Sequence, residues 1–371
     1  MTLHPSPDTP IHLLAGRGPI FPKSFEGVSQ AAATVPERAE WVEKGLFLRQ
    51  ELGIAPTSAL ASDAGIRIFH MYLPIYFWLR WLLRRGGRRR CQVIGINAPQ
   101  GAGKTTLVNS FRDLFKRDGL SSVVLSIDDF YFTRGEQQAL AERHPGNRLV
   151  ELRGNAGTHD VELGRWVRCF FVGVVCAFCI PFPNCGHTIS FTSSTHRETL
   201  LRCLQAREGD TVRVPAYDKS LHAGRGDRLP PEQWPSVPGP IDVVLLEGWM
   251  LGFRPLPADS PALEGEGGQL RAVNAYLGEY ARWHELMDAW VVVQVEDVEQ
   301  VYAWRLEAER RMRAARGEGG SMSDDEVRDF VSRFLPAYRA FLAPSLYETA
   351  GAIDGKPTLR FVVDAARRPK A

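Results

Sequence analysis

Residues 91–107 read CQVIGINAPQGAGKTTL. An apolar run, Val93, Ile94 and Ile96, stops at a small-residue turn that opens into Lys104-Thr105-Thr106. That is the pattern of a buried strand, a phosphate loop and a helix. Glycines in such a turn let backbone N–H groups cradle phosphate oxygens, and the helix aims its positive end at the same point. Lys104 is placed to reach the β- and γ-phosphates of a nucleoside triphosphate, and the Thr105 hydroxyl to ligate Mg²⁺. The expected ATP-binding set is Ala98, Pro99, Gln100, Gly101, Ala102, Gly103, Lys104, Thr105 and Thr106. One position departs from G-x-x-x-x-G-K-[ST]: Ala98 stands where the first glycine is usual.

The rest of the chain fits an α/β fold around that loop. Short apolar runs at Ser122–Ile127, Ile241–Leu246, Ala289–Val295 and Leu359–Val363 predict four further strands. Helical spacing fills 269–287, 297–316 and 323–340. Continuous apolar strands alternating with helices predict a P-loop NTPase-type, mostly parallel sheet with helices on both faces and a helical lid. The chain of 371 residues divides into a loose or targeting tail over 1–35, a helical extension over 36–90 and a kinase-like domain over 91–371. In the extension, Ile68, Tyr72, Ile75 and Trp78 recur at near-helical spacing and read as core. Formal net charge is +2, so the overall balance calls for neither nucleic acid nor an anionic membrane. No apolar run is long enough to span a bilayer comfortably, and six cysteines do not suggest a secreted disulfide scaffold. The protein is expected to act as a monomer.

One segment disagrees with its surroundings. From Trp166 to His196 there is a single formal charge, Arg168, and four of the six cysteines. The flanks, VELGR and RETLLRCLQ, would join into one amphipathic helix without it. We read 166–196 as translated intron sequence. A true insertion loop is the alternative, and a metal site at Cys176 and Cys179 a third reading.

Ligands of parallel sheets sit beyond the carboxyl ends of the strands. Three predicted strand ends converge there: the phosphate loop, Asp128-Asp129, and Glu247 in LLEGW. Phosphoryl transfer needs positioning, charge neutralisation and a group that orients the nucleophile. Glu247 is suited to hold the metal or its waters. Asp128 is the candidate base, while Asp129 better fits a helix cap. Two blocks are rich in anion-binding side chains: Arg153 with His159 and Asp160, and Tyr217 with Lys219, Arg225 and Arg228. Each arginine alone is commonly a surface ion pair; beside a phosphate loop, the set favours a small anionic acceptor. Arg305, Arg310 and Arg313 lie on a helix ending in glycines, which suits a lid over the triphosphate.

Taken together, APQGAGKTTL, SIDDFYFT, HPGNRLVELRGNAGTHD, VPAYDKSLHAGRGDR, LLEGWMLGFRPLP, DAWVVVQVED, WRLEAERRMR and MSDDEVRDFVSRFLPAY resemble the plant-type D-glycerate 3-kinase family. That family lies in the uridine kinase, phosphoribulokinase and pantothenate kinase branch of P-loop kinases. The resemblance runs from about Arg67 to Val363 and is interrupted by 166–196. Ala98 fits it, since members of this branch often lack the first loop glycine. The resemblance implies ATP- and Mg²⁺-dependent phosphorylation of D-glycerate to 3-phosphoglycerate, the last step of photorespiration, in a chloroplast or alternatively the cytoplasm. It implies Asp128 as base, Tyr217 and Arg225 in the acceptor site, and Arg305 to Arg313 in the lid. Two rivals stay open: a kinase for another small alcohol, such as a nucleoside or a pantothenate-like acceptor, and a non-catalytic nucleotide-binding regulator.

If 166–196 is intron sequence, mass spectrometry of the native protein will detect a peptide running from Arg165 directly into Arg197 or Glu198. Peptides from within the segment would overturn that reading.

Overall fold

A computed structural model describes residues 38–55, 58, 62–85, 91–161, 199–222, 224–316, 322–348 and 352–370. The 1–35 tail, the 166–196 segment with its Cys176 and Cys179, and the glycine turn after Arg316 lie outside the described residues.

All four strands predicted after the phosphate-loop strand are present, and with it they form one parallel sheet. The strands are β1 (Gln92–Asn97), β2 (Ser122–Ser126), β3 (Val243–Gly248), β4 (Ala289–Val295) and β5 (Thr358–Val363), in the order β2-β3-β1-β4-β5. Every pairing is parallel. The strands read as continuous apolar runs because both faces are covered. On β3, Val244 and Leu246 enter one apolar cluster, and Val243 and Leu245 the other.

The helices around the sheet are α1 (Arg38–Glu51), α2 (Leu73–Arg85), α3 (Lys104–Arg117), α4 (Arg134–Arg143), α5 (Leu270–Leu277), α6 (Gln300–Arg316) and α7 (Asp324–Ser332). Helix α3 buries Leu107, Val108, Phe111, Leu114 and Phe115, the spacing of a single helical face. It shares its cluster with α1 and α2. The opposite cluster draws on α5, α7 and the 149–161 segment. Two short antiparallel ribbons stand apart from the sheet: Thr211–Arg213 against Ser236–Pro238, and Tyr217–Asp218 against Asp227–Arg228.

The extension forms a helical hairpin. Its second arm runs from Asp63 to Arg85 with a wide turn over Ile68–Tyr72. Pro74 has no N–H to offer one turn back, and the Leu73 N–H bonds to the Ile68 carbonyl, five residues away. Ile68, Tyr72, Ile75 and Trp78 are all buried, as their spacing predicts.

The hairpin grips the phosphate-loop helix at its far end. Asp118, which ends α3, accepts bonds from Lys44 and from the Tyr76 hydroxyl (2.5 Å) and pairs with Arg80 Nε (3.2 Å). Burial pushes the Asp118 carboxyl up, but Lys44, Tyr76 and Arg80 together hold it below the usual range. Lys44 is itself buried, so the carboxylate compensates a cation that water cannot reach. Asp118→Ala is expected to destabilise the protein by about 3 kcal/mol in urea unfolding. A loss below about 1 kcal/mol, the size of a surface ion pair, would mean the grip is ornamental.

Candidate active site

The strand register sets where the reactive groups stand. Glu247 pairs with Ile96 on β1 and with Ser126 on β2, so the segments that follow leave the sheet at one level. After β1 the loop turns through Gly101 (φ +80°) and Gly103 (φ +92°). A side chain at Gly101 would also meet Trp304, 2.6 Å away, so only glycine fits there. Ala98 is buried in the apolar cluster beneath the loop. The Gln100 N–H donates to the Tyr338 hydroxyl (2.9 Å), and Lys104 Nζ donates to the Pro99 carbonyl (3.3 Å). Burial lowers the Lys104 ammonium pKa, against the pull of Glu247 and Asp128. Thr105 and Thr106 begin α3 and are exposed.

After β2 comes a tight turn over Ile127–Phe130. Ser126 and Asp129 form a capping box there: Ser126 Oγ accepts from Asp128 N (3.2 Å) and Asp129 Oδ2 accepts from Ser126 N (2.9 Å). That fixes Asp129 as the cap and leaves the Asp128 carboxylate for other work. Lys219 Nζ reaches Asp128 Oδ2 at 2.5 Å. Burial pushes Asp128 up, yet Lys219, with His159 and Lys104, outweighs it and holds Asp128 ionised below its ordinary range. Asp129, one residue on, is pushed up to about 6 by burial and by the neighbouring charges of Asp128 and Glu247.

Glu247 is buried at the end of β3, and burial raises its pKa against the pull of Lys104. Its Oε2 has no hydrogen-bond partner among the described residues.

Of the predicted acceptor residues, Lys219 and His159 act on Asp128, and Tyr217 and Arg153 lie beside them. The buried His159 ring stacks on Tyr131 (4.4 Å between centroids), and Tyr131 meets Tyr217 edge-on (5.3 Å). Gly157 N–H donates to the Tyr280 hydroxyl (3.2 Å), which also hydrogen-bonds His159 Nδ1 (2.7 Å). His159 Nε2 has no partner among the described residues. Arg153 lies over the Tyr217 ring (5.5 Å) and donates to the carbonyls of Gly224 (2.9 Å) and Arg225. The Arg225 side chain is exposed. Arg228 is engaged within the protein, bonding to Asp160 (3.2 Å) and pairing with Glu136 (3.5 Å).

The three lid arginines are paired inside the lid. Arg305 bonds to Glu309 and lies over the Phe330 ring (5.3 Å). Arg310 (2.6 Å) and Arg313 both hold Asp324, the first residue of α7.

No family model matches the chain. The chain is similar to the chloroplastic D-glycerate 3-kinase of Arabidopsis thaliana, at 41% identity over 312 residues. That match takes in 82% of this chain, which thereby spans only 60% of the relative's length. It is 31% identical over 318 residues to the probable ATP-dependent kinase TDA10 of Saccharomyces cerevisiae, covering 84% of this chain and 95% of that one. The chain belongs to the same family as this probable ATP-dependent kinase. Its fold matches the structure of D-glycerate 3-kinase from Cryptococcus neoformans with a TM-score of 0.62 and 29% identity, over 81% of this chain and 98% of that one.

Within this fold, spacing alone missed Tyr131, Tyr280 and Tyr338. Tyr131 was in view as the end of the DDFY run. Tyr280 and Tyr338 carry no local signal, since their partners lie far away in sequence.

Three buried histidines set an acid limit on stability. Burial lowers His70 and His159 to about 4 and His284 to about 3. In the unfolded chain they titrate near ~6.5. Between those values the unfolded chain binds more protons, so stability is full above about pH 6.5 and is lost as pH falls toward 4. Thermal melts are expected to hold level from pH 8 to 7 and to drop steadily below pH 6. A midpoint unchanged down to pH 4.5 would contradict this.

Proposed function

We propose that this protein phosphorylates D-glycerate on its C3 hydroxyl with ATP, releasing ADP and 3-phosphoglycerate. The observation that carries the reading is the pairing of Asp128 with Lys219 beside the phosphate loop. It provides a carboxylate kept ionised at neutral pH and, next to it, a cation suited to a small anionic acceptor. Similarity to the D-glycerate 3-kinases of Arabidopsis thaliana and Cryptococcus neoformans supports the same acceptor.

In this reading Arg153, Lys219 and Arg225 bind the glycerate carboxylate, with His159 Nε2 and Tyr217 positioning its hydroxyls. Asp128 orients the C3 hydroxyl and accepts its proton as the oxygen bonds to the γ-phosphorus. The bond from that phosphorus to the β–γ bridging oxygen breaks, and its electron pair leaves with ADP. Lys104 and the N–H groups opening α3 hold the charge that builds on the phosphate oxygens. Arg305, Arg310 and Arg313 are assigned to the same charge on lid closure, which requires Arg310 and Arg313 to exchange Asp324 for phosphate. Arg228 and Asp160 shape the acceptor loop by pairing with each other.

Thr105 and the unpartnered Oε2 of Glu247 fit a magnesium ion, a metal usually held by one or two protein oxygens and the substrate phosphates. Bound there, Mg²⁺ supplies neutralisation of the transferring group. The chloroplastic Arabidopsis relative also supports a place in a plastid.

An ADP-release assay with D-glycerate tests the assignment. Asp128→Asn is expected to keep ATP binding and lower kcat on the order of 10²- to 10⁴-fold. Turnover with a nucleoside or pantothenate but not with D-glycerate would overturn the acceptor, and an unchanged kcat would remove Asp128 from its role.

A further inference from the structure

Arg367 belongs to none of the motifs above, yet it joins three parts of the molecule. Its backbone is left-handed, at φ +62°, a conformation that costs a residue with a side chain about 1 kcal/mol and that glycine adopts freely. The side chain gives a reason for its being there. Nε donates to the Gly101 carbonyl at 2.7 Å, Nη2 pairs with Glu307 Oε2 at 2.8 Å, and the guanidinium lies over the Trp304 ring at 5.0 Å.

Those contacts lead from the tip of the phosphate loop to the lid helix. Glu307 and Trp304 are both on α6. Trp304 packs where a side chain at Gly101 would lie, and its Nε1 donates to the Ala365 carbonyl at 2.7 Å. The peptide between Gly101 and Ala102 is thereby held at both ends: its oxygen by Arg367, its N–H by the Pro99 carbonyl at 3.2 Å. The segment carrying Arg367 is anchored too. Arg368 Nε bonds to Asp364 (2.8 Å), and Arg67 of the helical extension donates to the Ala366 carbonyl (3.2 Å). The hydrogen bond from Arg367 also keeps Glu307 ionised below its usual range.

We propose that Arg367 is a positioning residue that locks the tip of the phosphate loop to the lid helix, so that ATP affinity and lid placement are set together. The inference rests on the reading of residues 98–106 as a triphosphate site, and it does not depend on which acceptor is used. A purely structural Arg367 would be a poor choice of residue, because glycine would relieve the backbone at no loss of contact that mattered.

The test uses the full chain, with ATP affinity by calorimetry, ADP-release kinetics and thermal melts. Arg367→Gly suits the backbone and is expected to leave the melting temperature within a few degrees. It should weaken ATP binding and raise the KM for ATP by about tenfold, the scale of one lost charged hydrogen bond, with the KM for acceptor within about twofold. Arg367→Lys keeps the charge and is expected to fall between. ATP affinity of Arg367→Gly within about twofold of the wild type overturns the proposal. If that variant melts far below the wild type, Glu307→Ala decides, since it removes the acceptor of the Arg367 guanidinium on the lid helix without touching the backbone at 367: weakened ATP binding supports the lock and unchanged binding refutes it. Failure of the wild type to phosphorylate D-glycerate would remove the acceptor assignment and leave the affinity comparison standing. Failure of the wild type to bind ATP would overturn both.

Discussion

Parallel pairing between β2, β3 and β1 is the constraint on which the site depends. Hydrogen bonds that fix Ser126, Glu247 and Ile96 in one row make three separate chain segments leave the sheet at one height. A slip of one residue on β3 would send Val244 and Leu246 into the cluster meant for Val243 and Leu245. The two faces meet different partners, so the register that builds the core is also the register that aligns the chemistry.

Adjacent carboxylates take opposite roles because their surroundings differ. Asp128 and Asp129 share a turn and are both withdrawn from water. Lys219 reaches only the first, and the second points back to the Ser126 amide. One is held ionised and the other is pushed up to about 6. A single lysine on the 217–228 ribbon therefore decides which of two identical side chains serves as the base in the proposed reaction. The same ribbon carries Tyr217 and Arg228, so the proposed acceptor contacts and base ionisation are tied to one element.

Much of this was legible in the sequence, for a physical reason. Strands buried on both faces read as unbroken apolar runs, and the phosphate loop has a fixed spacing of small residues. Asp129 as cap followed from local geometry alone. The partners of those groups were not legible. Tyr280 meets His159 from 121 residues away and Tyr338 meets Gln100 from 238, and no periodicity reports such encounters. Charge type was equally mute about pairing. Arg228, read as an anion binder, is held by Asp160 and Glu136, and Arg310 and Arg313 share Asp324.

The bond between Gly101 and Arg367 spans 266 residues. On a ribosome the phosphate loop emerges long before the arginine that bonds to its tip. Until then the loop must wait without that anchor, with only its own turn and helix to shape it. A chain that stops short of Arg367 would carry every nucleotide-binding motif and still lack that bond.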